Sequence, residues 1–285
     1  GMALTRDFEH KNHSVVAIVG DGAIPNGMSF EALNHIGEAK SNLIVILNDN
    51  NMSISKNVGA LSHTIARLRN SKSYVSVKND MKEVLNKNVV GATVLKGMRV
   101  VKDSIKRTVV KPSIFTDMGL EYFGPVDGHN FSELFNALSS AKEHEGPVLV
   151  HVITTKGKGF SPSENDHNGR WHGVNQFDPD TGNNLGELPL NHLSWSEIYS
   201  ETLIRLAKKD PKIMVLTPAM CQGSKLEKFF ALYPNRSFDC GIAEEHAATL
   251  ASSMALNGLK PFLSIYSTFL QRAYDQINHD IARME

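Results

Sequence analysis

The clearest indication of the fold lies in residues 15–50, VVAIVGDGAIPNGMSFEALNHIGEAKSNLIVILNDN. The stretch opens with Val15–Val19, an apolar run rich in β-branched residues that is typical of a buried strand. Residues 28–39 then carry apolar side chains at near-helical spacing, and Leu43–Leu47 forms a second buried strand. Strand, helix and strand within about 35 residues predict a βαβ unit. Its two strands run parallel, so their carboxyl ends meet at one edge of the sheet.

The rest of the chain continues this alternation of strands and helices. Residues 161–190 are rich in Asn, Asp, Gly and Pro, which favours a long loop or linker. The elements predicted before it are a helical excursion over 53–118, a turn-rich loop over Gly124–His129, a helix over 131–144 and a strand over Val148–Thr154. The elements predicted after it are helices over 195–208, 224–233 and 244–257, strands over Ile213–Leu216, Phe238–Ile242 and Pro261–Tyr266, and an amphipathic helix over Ser267–Glu285.

These elements predict an α/β fold of parallel sheets flanked by helices, arranged in two domains. We place the boundary near residue 193, which gives domains of residues 1–193 and 194–285. Gly1–Asp7 is typical of the end of a helix, with no strand before it, and the last helical pattern stops abruptly at Glu285. The sequence is therefore expected to be a fragment, with the first domain short at its amino end and the second short at its carboxyl end.

Composition narrows the classes of partner. Thirty basic residues balance thirty acidic ones, which argues against nucleic acid or an anionic membrane as the main partner. No apolar run approaches the roughly 18 residues needed to span a bilayer. Cys221 and Cys240 are isolated and fit neither a disulfide framework nor a zinc spacing, which favours a reduced, cytoplasmic setting.

The Gly20-Asp21-Gly22 turn is a candidate metal and diphosphate site. It lacks the spacing of a dinucleotide fingerprint, and no Lys-Ser/Thr pair follows to make a P-loop. A carboxylate at the end of a strand, beside the start of a helix, suits a hard cation that bridges to phosphate oxygens. Asn50 follows the next strand and offers an amide oxygen, and Met52 offers a backbone carbonyl. The pattern predicts Mg²⁺, although a Gly-Asp-Gly turn by itself is usually only a turn.

Several strings together resemble the 1-deoxy-D-xylulose-5-phosphate synthase family of thiamine-diphosphate enzymes. The strongest is Ile265–Gln276 (IYSTFLQRAYDQ). The others are Gly27–Gly37 (GMSFEALNHIG), Leu47–Ser55 (LNDNNMSIS), Asn57–Leu61 (NVGAL), Gly124–His129 (GPVDGH), Lys156–Gly159 (KGKG) and Trp171–Gly173 (WHG). The resemblance covers nearly the whole chain and is weakest over residues 70–112.

This resemblance implies a set of thiamine-binding α/β domains, with an active site between the first and the second. It implies thiamine diphosphate and Mg²⁺ as cofactors, and a homodimer in the bacterial cytoplasm. The implied reaction joins pyruvate to D-glyceraldehyde 3-phosphate with release of CO₂. The product of this family feeds the synthesis of isoprenoids, thiamine and pyridoxal.

The resemblance also assigns roles to residues of this sequence. The metal ligands would be Asp21, Asn50 and Met52. Tyr266 and Arg272 would hold the phosphorylated acceptor, since the forked donors of arginine suit a phosphate. The residues that would bind the cofactor are Asp21, Gly22, Ala23, Asn50, Met52, Ile54, Lys156, Glu244 and Phe269.

Two of these assignments concern catalysis. In Gly241–His246 (GIAEEH), the acid that follows Gly-Ile-Ala is Glu244, which would exchange a proton with the aminopyrimidine ring of the cofactor. Glu245 stands where the family usually has glutamine, and it either adds a second negative charge or points away. Without the resemblance, two acids at a helix start are explained by the helix dipole. His172 would line the channel above the thiazolium ring, whereas His246 is expected to be structural.

Two rival interpretations are also compatible with the sequence. One rival is transketolase, which uses thiamine diphosphate in the same way, but the strings Ile265–Gln276 and Trp171–Gly173 argue against it. The other rival is a catalytically incomplete fragment, since the family has further active-site residues beyond both ends of this sequence. We therefore expect the 285-residue chain itself to be inactive or badly impaired.

Overall fold

The chain forms two compact units in a computed structural model that describes residues 1–50, 58–69, 113–166, 169–185 and 192–284. Unit 1 comprises Gly1–Asn51 with Leu61–Thr155, and unit 2 comprises Met52–Ala60 with Lys156–Glu285. Each unit contains one parallel β-sheet flanked by helices, which confirms the predicted α/β class. The predicted boundary near residue 193 stays a prediction. In the described part of the chain, no helix is long and apolar enough to cross a membrane.

Unit 1 is built on a four-stranded sheet with the strand order β1-β2-β4-β3, and all of its neighbouring strands are parallel. The strands are β1 (Val16–Gly20), β2 (Ile44–Asp49), β3 (Glu121–Asp127) and β4 (Val148–Ile153). The helices are α1 (Met2–Phe8), α2 (Gly27–Ala39), α3 (Ala60–Arg69), α4 (Ile114–Asp117) and α5 (Phe131–Lys142).

The predicted βαβ unit is confirmed. Helix α2 connects β1 to β2, and the two strands pair in parallel with Gly20 opposite Asn48. The Asn26 side chain caps α2 by accepting a hydrogen bond from the Met28 N–H at 3.1 Å. At the other end, Lys40 adopts a left-handed conformation and ends the helix. The sheet therefore brings the residues after β1 and β2 to one edge.

Separate apolar cores cover the two faces of this sheet. One core packs α2, α3 and α4 against side chains of β2, β3 and β4, including the fully buried Leu47 and Leu149. The other packs Ala137 and Ala141 of α5 against Val148 and Val150 of β4. Strand β4 is therefore buried on both faces, as expected for an internal strand of a parallel sheet.

Two predictions about these strands were wrong in part. The loop predicted over Gly124–His129 is mostly the end of β3, which includes the Gly-Pro pair and runs to Asp127. Proline is tolerated there because β3 is an edge strand with a shifted register between Phe123 and Val126. Strand β1 was predicted to be buried, but Ile18 is 73% exposed because β1 lies at the opposite edge and the described residues leave one of its faces uncovered.

The helical excursion predicted over 53–118 is described only in part. Helices α3 and α4 lie within it and confirm its helical character there. Residues 70–112 lie outside the described residues.

Gly37 sets a tight contact between α2 and the chain entering β3. A Cβ atom at this position would lie 1.8 Å from the carbonyl oxygen of Met118. We expect Gly37→Ala to lower the free energy of unfolding by about 2 kcal/mol, because the backbone itself would have to move. The control is Gly27→Ala in the same helix, where the nearest atom to the added Cβ is a side-chain oxygen of Glu31 at 3.9 Å. Urea unfolding of both variants would check this, and equal midpoints would contradict it.

Unit 2 is built on a three-stranded parallel sheet with the strand order β6-β5-β7. The strands are β5 (Ile213–Thr217), β6 (Ser237–Asp239) and β7 (Lys260–Leu263). The helices are α6 (Ser161–Glu164), α7 (Trp195–Ala207), α8 (Glu227–Leu232), α9 (Glu244–Leu256), α10 (Ser267–Leu270) and α11 (Tyr274–Gln276).

The core of unit 2 lies between its sheet and helices α7 and α8. Fully buried Val215, Leu226 and Phe229 pack with Leu203 of α7 between the sheet and its helices. Strand β6 ends at Asp239, five residues before Glu244 opens α9. The single helix predicted over Ser267–Glu285 is helical in the described part but is divided into α-helical, 3₁₀ and π segments.

Candidate active site

The first part of the site is the turn that follows β1. Asp21 is 2% exposed, and its backbone N–H donates to the carbonyl oxygen of Asn48 at 3.1 Å. The N–H of Gly22 donates to Oδ1 of Asp21 at 3.1 Å, and the N–H of Ala23 donates to the carbonyl oxygen of Gly20 at 2.9 Å. These bonds fold the predicted diphosphate-binding residues into a tight turn that leads into α2.

Asn50 directly follows β2, the neighbour of β1 in the sheet. Gly20 pairs with Asn48, so Asp21 and Asn50 leave adjacent parallel strands at the same edge. The preceding Asn48 side chain is fixed as well, because its Oδ1 accepts a hydrogen bond from Oγ1 of Thr154 at 2.7 Å. The structure thus brings two of the three predicted metal ligands to one sheet edge. Met52 and Ile54 lie outside the described residues.

The donors at this edge fit a magnesium ion. One buried carboxylate and one amide oxygen are hard oxygen ligands, and Mg²⁺ takes few protein ligands because it keeps water and phosphate oxygens. Among the described residues, no three His, Cys, Asp or Glu side chains cluster as a metal site. A site that depends on one carboxylate with neutral oxygens would not form such a cluster.

A buried polar network lies directly beneath this edge, and the sequence interpretation missed it. Nε2 of His151 lies 2.8 Å from Oδ2 of Asp49, and its Nδ1 lies 2.6 Å from the hydroxyl of Tyr122. Arg69 approaches the other carboxylate oxygen of Asp49, with Nη1 at 3.1 Å from Oδ1. The sequence contained two signals of this network. Histidine is unexpected in the apolar run of β4. Asp49 stands between Asn48 and Asn50, so its side chain points to the opposite face of the sheet from theirs.

Unit 2 contributes a charged group at the start of α9. Glu244 is 3% exposed as the first residue of the helix, and Glu245 is partly exposed. Nη1 of Arg272 lies 2.5 Å from Oε2 of Glu244. Nη2 of the same guanidinium lies 3.0 Å and 3.1 Å from the two carboxylate oxygens of Glu245. The predicted proton-transfer acid and the predicted phosphate-binding arginine are therefore in direct contact.

Tyr266 and Phe269 form an accessible aromatic pair in the same unit. Their rings stack with centroids 6.0 Å apart, and the residues are 44% and 43% exposed. The N–H of Tyr266 donates to Sδ of Met220 at 3.3 Å, which ties the backbone to the segment after β5. Both side chains thus have surface available for a ligand, as their predicted roles require.

Lys156 lies before α6 and His172 lies after it, and the side chains of the two residues approach each other. Nζ of Lys156 lies 3.5 Å from Nδ1 of His172. Trp171, next to His172, packs edge-to-face against Phe160 and Phe177, with centroids 5.0 Å and 4.8 Å apart. These aromatic contacts pack the segment that contains His172 against Phe160, four residues after Lys156.

The titration of His172 should report this contact. His172 is exposed at the surface, yet partial desolvation of its ring, and secondarily the positive charge of Lys156, lower the pKa of His172 below its usual value. We expect an NMR titration of the His172 Cε1–H resonance to have a midpoint below about 6.5, the value of an unperturbed histidine. The lowered pKa also means that the neutral imidazole favours folding at neutral pH, and that this contribution is lost as the pH falls through the folded-state pKa.

Lys156→Gln provides the control for this prediction. It removes the charge but leaves the burial, so the midpoint should rise part of the way toward the usual value. A midpoint at or above about 6.5 in the starting chain would contradict the described contact.

Comparison with known proteins shows which family the chain belongs to. The family described as 1-deoxy-D-xylulose-5-phosphate synthase matches residues 1–154, more than half of the chain. The chain belongs to this family. The pyrimidine-binding domain of transketolase matches residues 191–285, so domains of thiamine-diphosphate enzymes match the chain on both sides of residues 155–190.

Curated relatives agree with membership of the 1-deoxy-D-xylulose-5-phosphate synthase family. The synthase of Geobacillus sp. (strain WCH70) is 51% identical over 284 residues, and that of Bacillus cereus (strain G9842) is 50% identical over the same length. Each alignment covers 99% of this chain and 45% of the relative. The chain therefore spans about half the length of the curated relatives it matches.

Solved structures similar to the chain include two transketolases. The enzyme from Campylobacter jejuni is 16% identical, with a TM-score of 0.33, over 92% of this chain and 45% of that one. The enzyme from Leishmania mexicana is 16% identical, with a TM-score of 0.34, over 97% of this chain and 46% of that one.

Proposed function

We propose that the chain binds thiamine diphosphate with Mg²⁺ and carries part of the active site of a 1-deoxy-D-xylulose-5-phosphate synthase. The observation that carries the proposal is the placement of Asp21 and Asn50 after paired parallel strands. Family membership supports the identity of the cofactor. The proposed reaction joins pyruvate to D-glyceraldehyde 3-phosphate and releases CO₂.

At the sheet edge formed by β1 and β2, the proposed role is to hold the diphosphate. Asp21 and Asn50, with the backbone carbonyl of Met52, would bind Mg²⁺, and Gly22 and Ala23 would contact the diphosphate. The Asp21 carboxylate is the one ionised ligand of this set, so it supplies the negative charge that a hard cation needs. Ile54 would shape the bound cofactor as an apolar wedge.

In unit 2, the proposed roles are proton transfer and substrate binding. Thiamine diphosphate supplies an electron sink when bound. Glu244 would exchange a proton with the pyrimidine nitrogen, and Phe269 would pack against that ring. Tyr266 and Arg272 would bind the phosphate of the acceptor. His172 is the second proposed catalytic residue and would line the channel above the thiazolium ring, with Lys156 beside it as a cofactor-binding residue.

The same family resemblance supports proposals about the oligomeric state, the location and the use of the product. We propose a homodimer in the bacterial cytoplasm whose product feeds isoprenoid, thiamine and pyridoxal synthesis. The transketolase alternative is not favoured, because the curated relatives at about half identity are named 1-deoxy-D-xylulose-5-phosphate synthases.

A substrate comparison tests the reaction. The chain is supplied with thiamine diphosphate and Mg²⁺, and CO₂ release from pyruvate with glyceraldehyde 3-phosphate is compared with cleavage of a ketose phosphate. We expect that whatever turnover the chain has consumes pyruvate. Cleavage of the ketose phosphate without consumption of pyruvate would overturn the assignment in favour of a transketolase reaction.

A further inference from the structure

The network of Tyr122, His151, Asp49 and Arg69, which we call the strand-end relay, joins three adjacent strands to the last residue of α3. Tyr122 lies on β3, His151 on β4 and Asp49 on β2. Leu47 pairs with His151 and Tyr122 pairs with Leu149, so the relay side chains share the sheet face that packs against α2 and α3. The His151 side chain is fully buried, and that of Asp49 is 3% exposed.

The chemistry of the relay selects one arrangement of protons. Arg69 provides the positive charge that balances an ionised Asp49. If His151 is neutral with its proton on Nε2, it donates to Asp49, and Nδ1 accepts from the Tyr122 hydroxyl. Burial, and secondarily the charge of Asp49, raise the pKa of Tyr122, which keeps its hydroxyl protonated as a donor. Every relay group then has a partner at no net charge, as a buried network requires.

The relay holds Asp49 from several directions at once. Both carboxylate oxygens are occupied, by Arg69 and by His151. The backbone carbonyl of Asp49 accepts a hydrogen bond from the N–H of Thr154 at 2.9 Å. Asn50 is the next residue, so the position of its backbone is set by a residue that cannot shift without breaking these bonds.

We propose that Tyr122, His151 and Asp49 are positioning residues that hold Asn50 in place for the metal and diphosphate, with Arg69 as their counter-charge. The inference rests on the proposed function, because it takes Asn50 as a metal ligand. Outer partners of metal ligands fix the orientation of those ligands, and small displacements of a binding group are costly. Here the relay holds the side chain of Asp49, and the backbone that joins Asp49 to Asn50 carries this restraint to the metal ligand.

Tyr122→Phe is the sharpest variant, because it removes one buried hydroxyl and keeps the ring. Its matched control is Tyr199→Phe in unit 2, which removes a hydroxyl that lies 2.7 Å from Oγ of Ser264. In a first measurement without ligand, hydrogen–deuterium exchange is followed over residues 44–50. We expect faster exchange in Tyr122→Phe and unchanged exchange there in Tyr199→Phe.

In a second measurement, thiamine diphosphate is titrated into each variant with Mg²⁺ present. We expect roughly ten-fold weaker binding for Tyr122→Phe, the scale typical of outer partners of metal ligands, and unchanged binding for Tyr199→Phe. His151→Gln keeps a donor toward Asp49, so it should bind more tightly than His151→Ala. Tighter binding by His151→Gln than by His151→Ala would show that the hydrogen bond to Asp49 positions the ligand. Thermal melting of the same variants measures any general loss of stability.

The outcomes separate the relay from the proposed function. Unchanged exchange over residues 44–50 in Tyr122→Phe would overturn the inference, and so would faster exchange with unchanged affinity. If Asp21→Ala also leaves the affinity unchanged, the metal assignment itself fails. In that case the proposed function is at fault, and faster exchange over residues 44–50 in Tyr122→Phe shows only that the relay holds the strand end.

Discussion

Replacing Asp21 with alanine is expected to abolish Mg²⁺-dependent binding of thiamine diphosphate to this chain. Asp21 is the one ionised group among the proposed ligands, since Asn50 and the carbonyl of Met52 are neutral. Loss of an outer partner of a metal ligand already costs 10- to 100-fold in affinity, so loss of the charged ligand should raise the Kd by more than about 100-fold. Calorimetric titration of the cofactor with Mg²⁺ present measures this directly.

Two further variants make the result specific. Asp21→Asn keeps the shape and an oxygen ligand but loses the charge, so its affinity should fall between that of the starting chain and Asp21→Ala. Asp117→Ala removes an exposed carboxylate at the end of α4, before β3, and should bind as the starting chain does. Unchanged affinity in Asp21→Ala would show that the cofactor, if bound, is held elsewhere.

Removing Arg272 should have the second large effect, on stability. The 3%-exposed Glu244 would lose the positive charge 2.5 Å from its carboxylate. Leaving a buried carboxylate without its partner costs about 3–5 kcal/mol in a dry site. Because the Arg272 side chain is 30% exposed, water can replace part of this interaction. We therefore expect Arg272→Ala to lower the free energy of unfolding by about 2 kcal/mol.

A second substitution identifies the source of this loss. Adding Glu244→Gln to Arg272→Ala removes the unpaired charge and should recover most of the lost stability, whereas adding Glu245→Gln should recover little, because Glu245 is already solvated. Arg205→Ala on the exposed surface of α7 serves as the control, with an expected change within about 0.5 kcal/mol. Urea unfolding that gives Arg272→Ala the same stability as Arg205→Ala would contradict the described ion pair.

Much of the fold follows from periodicity in the sequence. The βαβ unit over residues 15–50 is confirmed, because its strands are continuous apolar runs and its helix has a regular apolar face. The elements that were misjudged depend on their neighbours in space. The Gly-Pro pair in β3 is typical of a turn, but it is accommodated because β3 is an edge strand. The exposure of Ile18 likewise depends on what covers β1, which a local pattern does not specify.

The candidate site also has a part that the sequence predicts and a part that depends on neighbours in space. Asp21 and Asn50 were predicted to meet because parallel strands share a carboxyl edge, and that argument needs only the order of elements. The strand-end relay was missed, since Asp49, His151 and Tyr122 are far apart in sequence and meet only through the strand order β2-β4-β3. The contact of Arg272 with both Glu244 and Glu245 was also missed, because side-chain direction after β7 is set by tertiary packing.

All the roles proposed for unit 1 depend on the sheet edge formed by β1 and β2 holding the metal and the diphosphate. The most direct test is a crystal structure of the chain with thiamine diphosphate and Mn²⁺ in place of Mg²⁺, with the metal located by its anomalous scattering. We predict a peak about 2.0–2.3 Å from the carboxylate of Asp21 and the amide oxygen of Asn50, with the diphosphate beside the Gly22 turn. A bound cofactor whose metal lies away from Asp21 and Asn50 would show that this sheet edge is not the metal site.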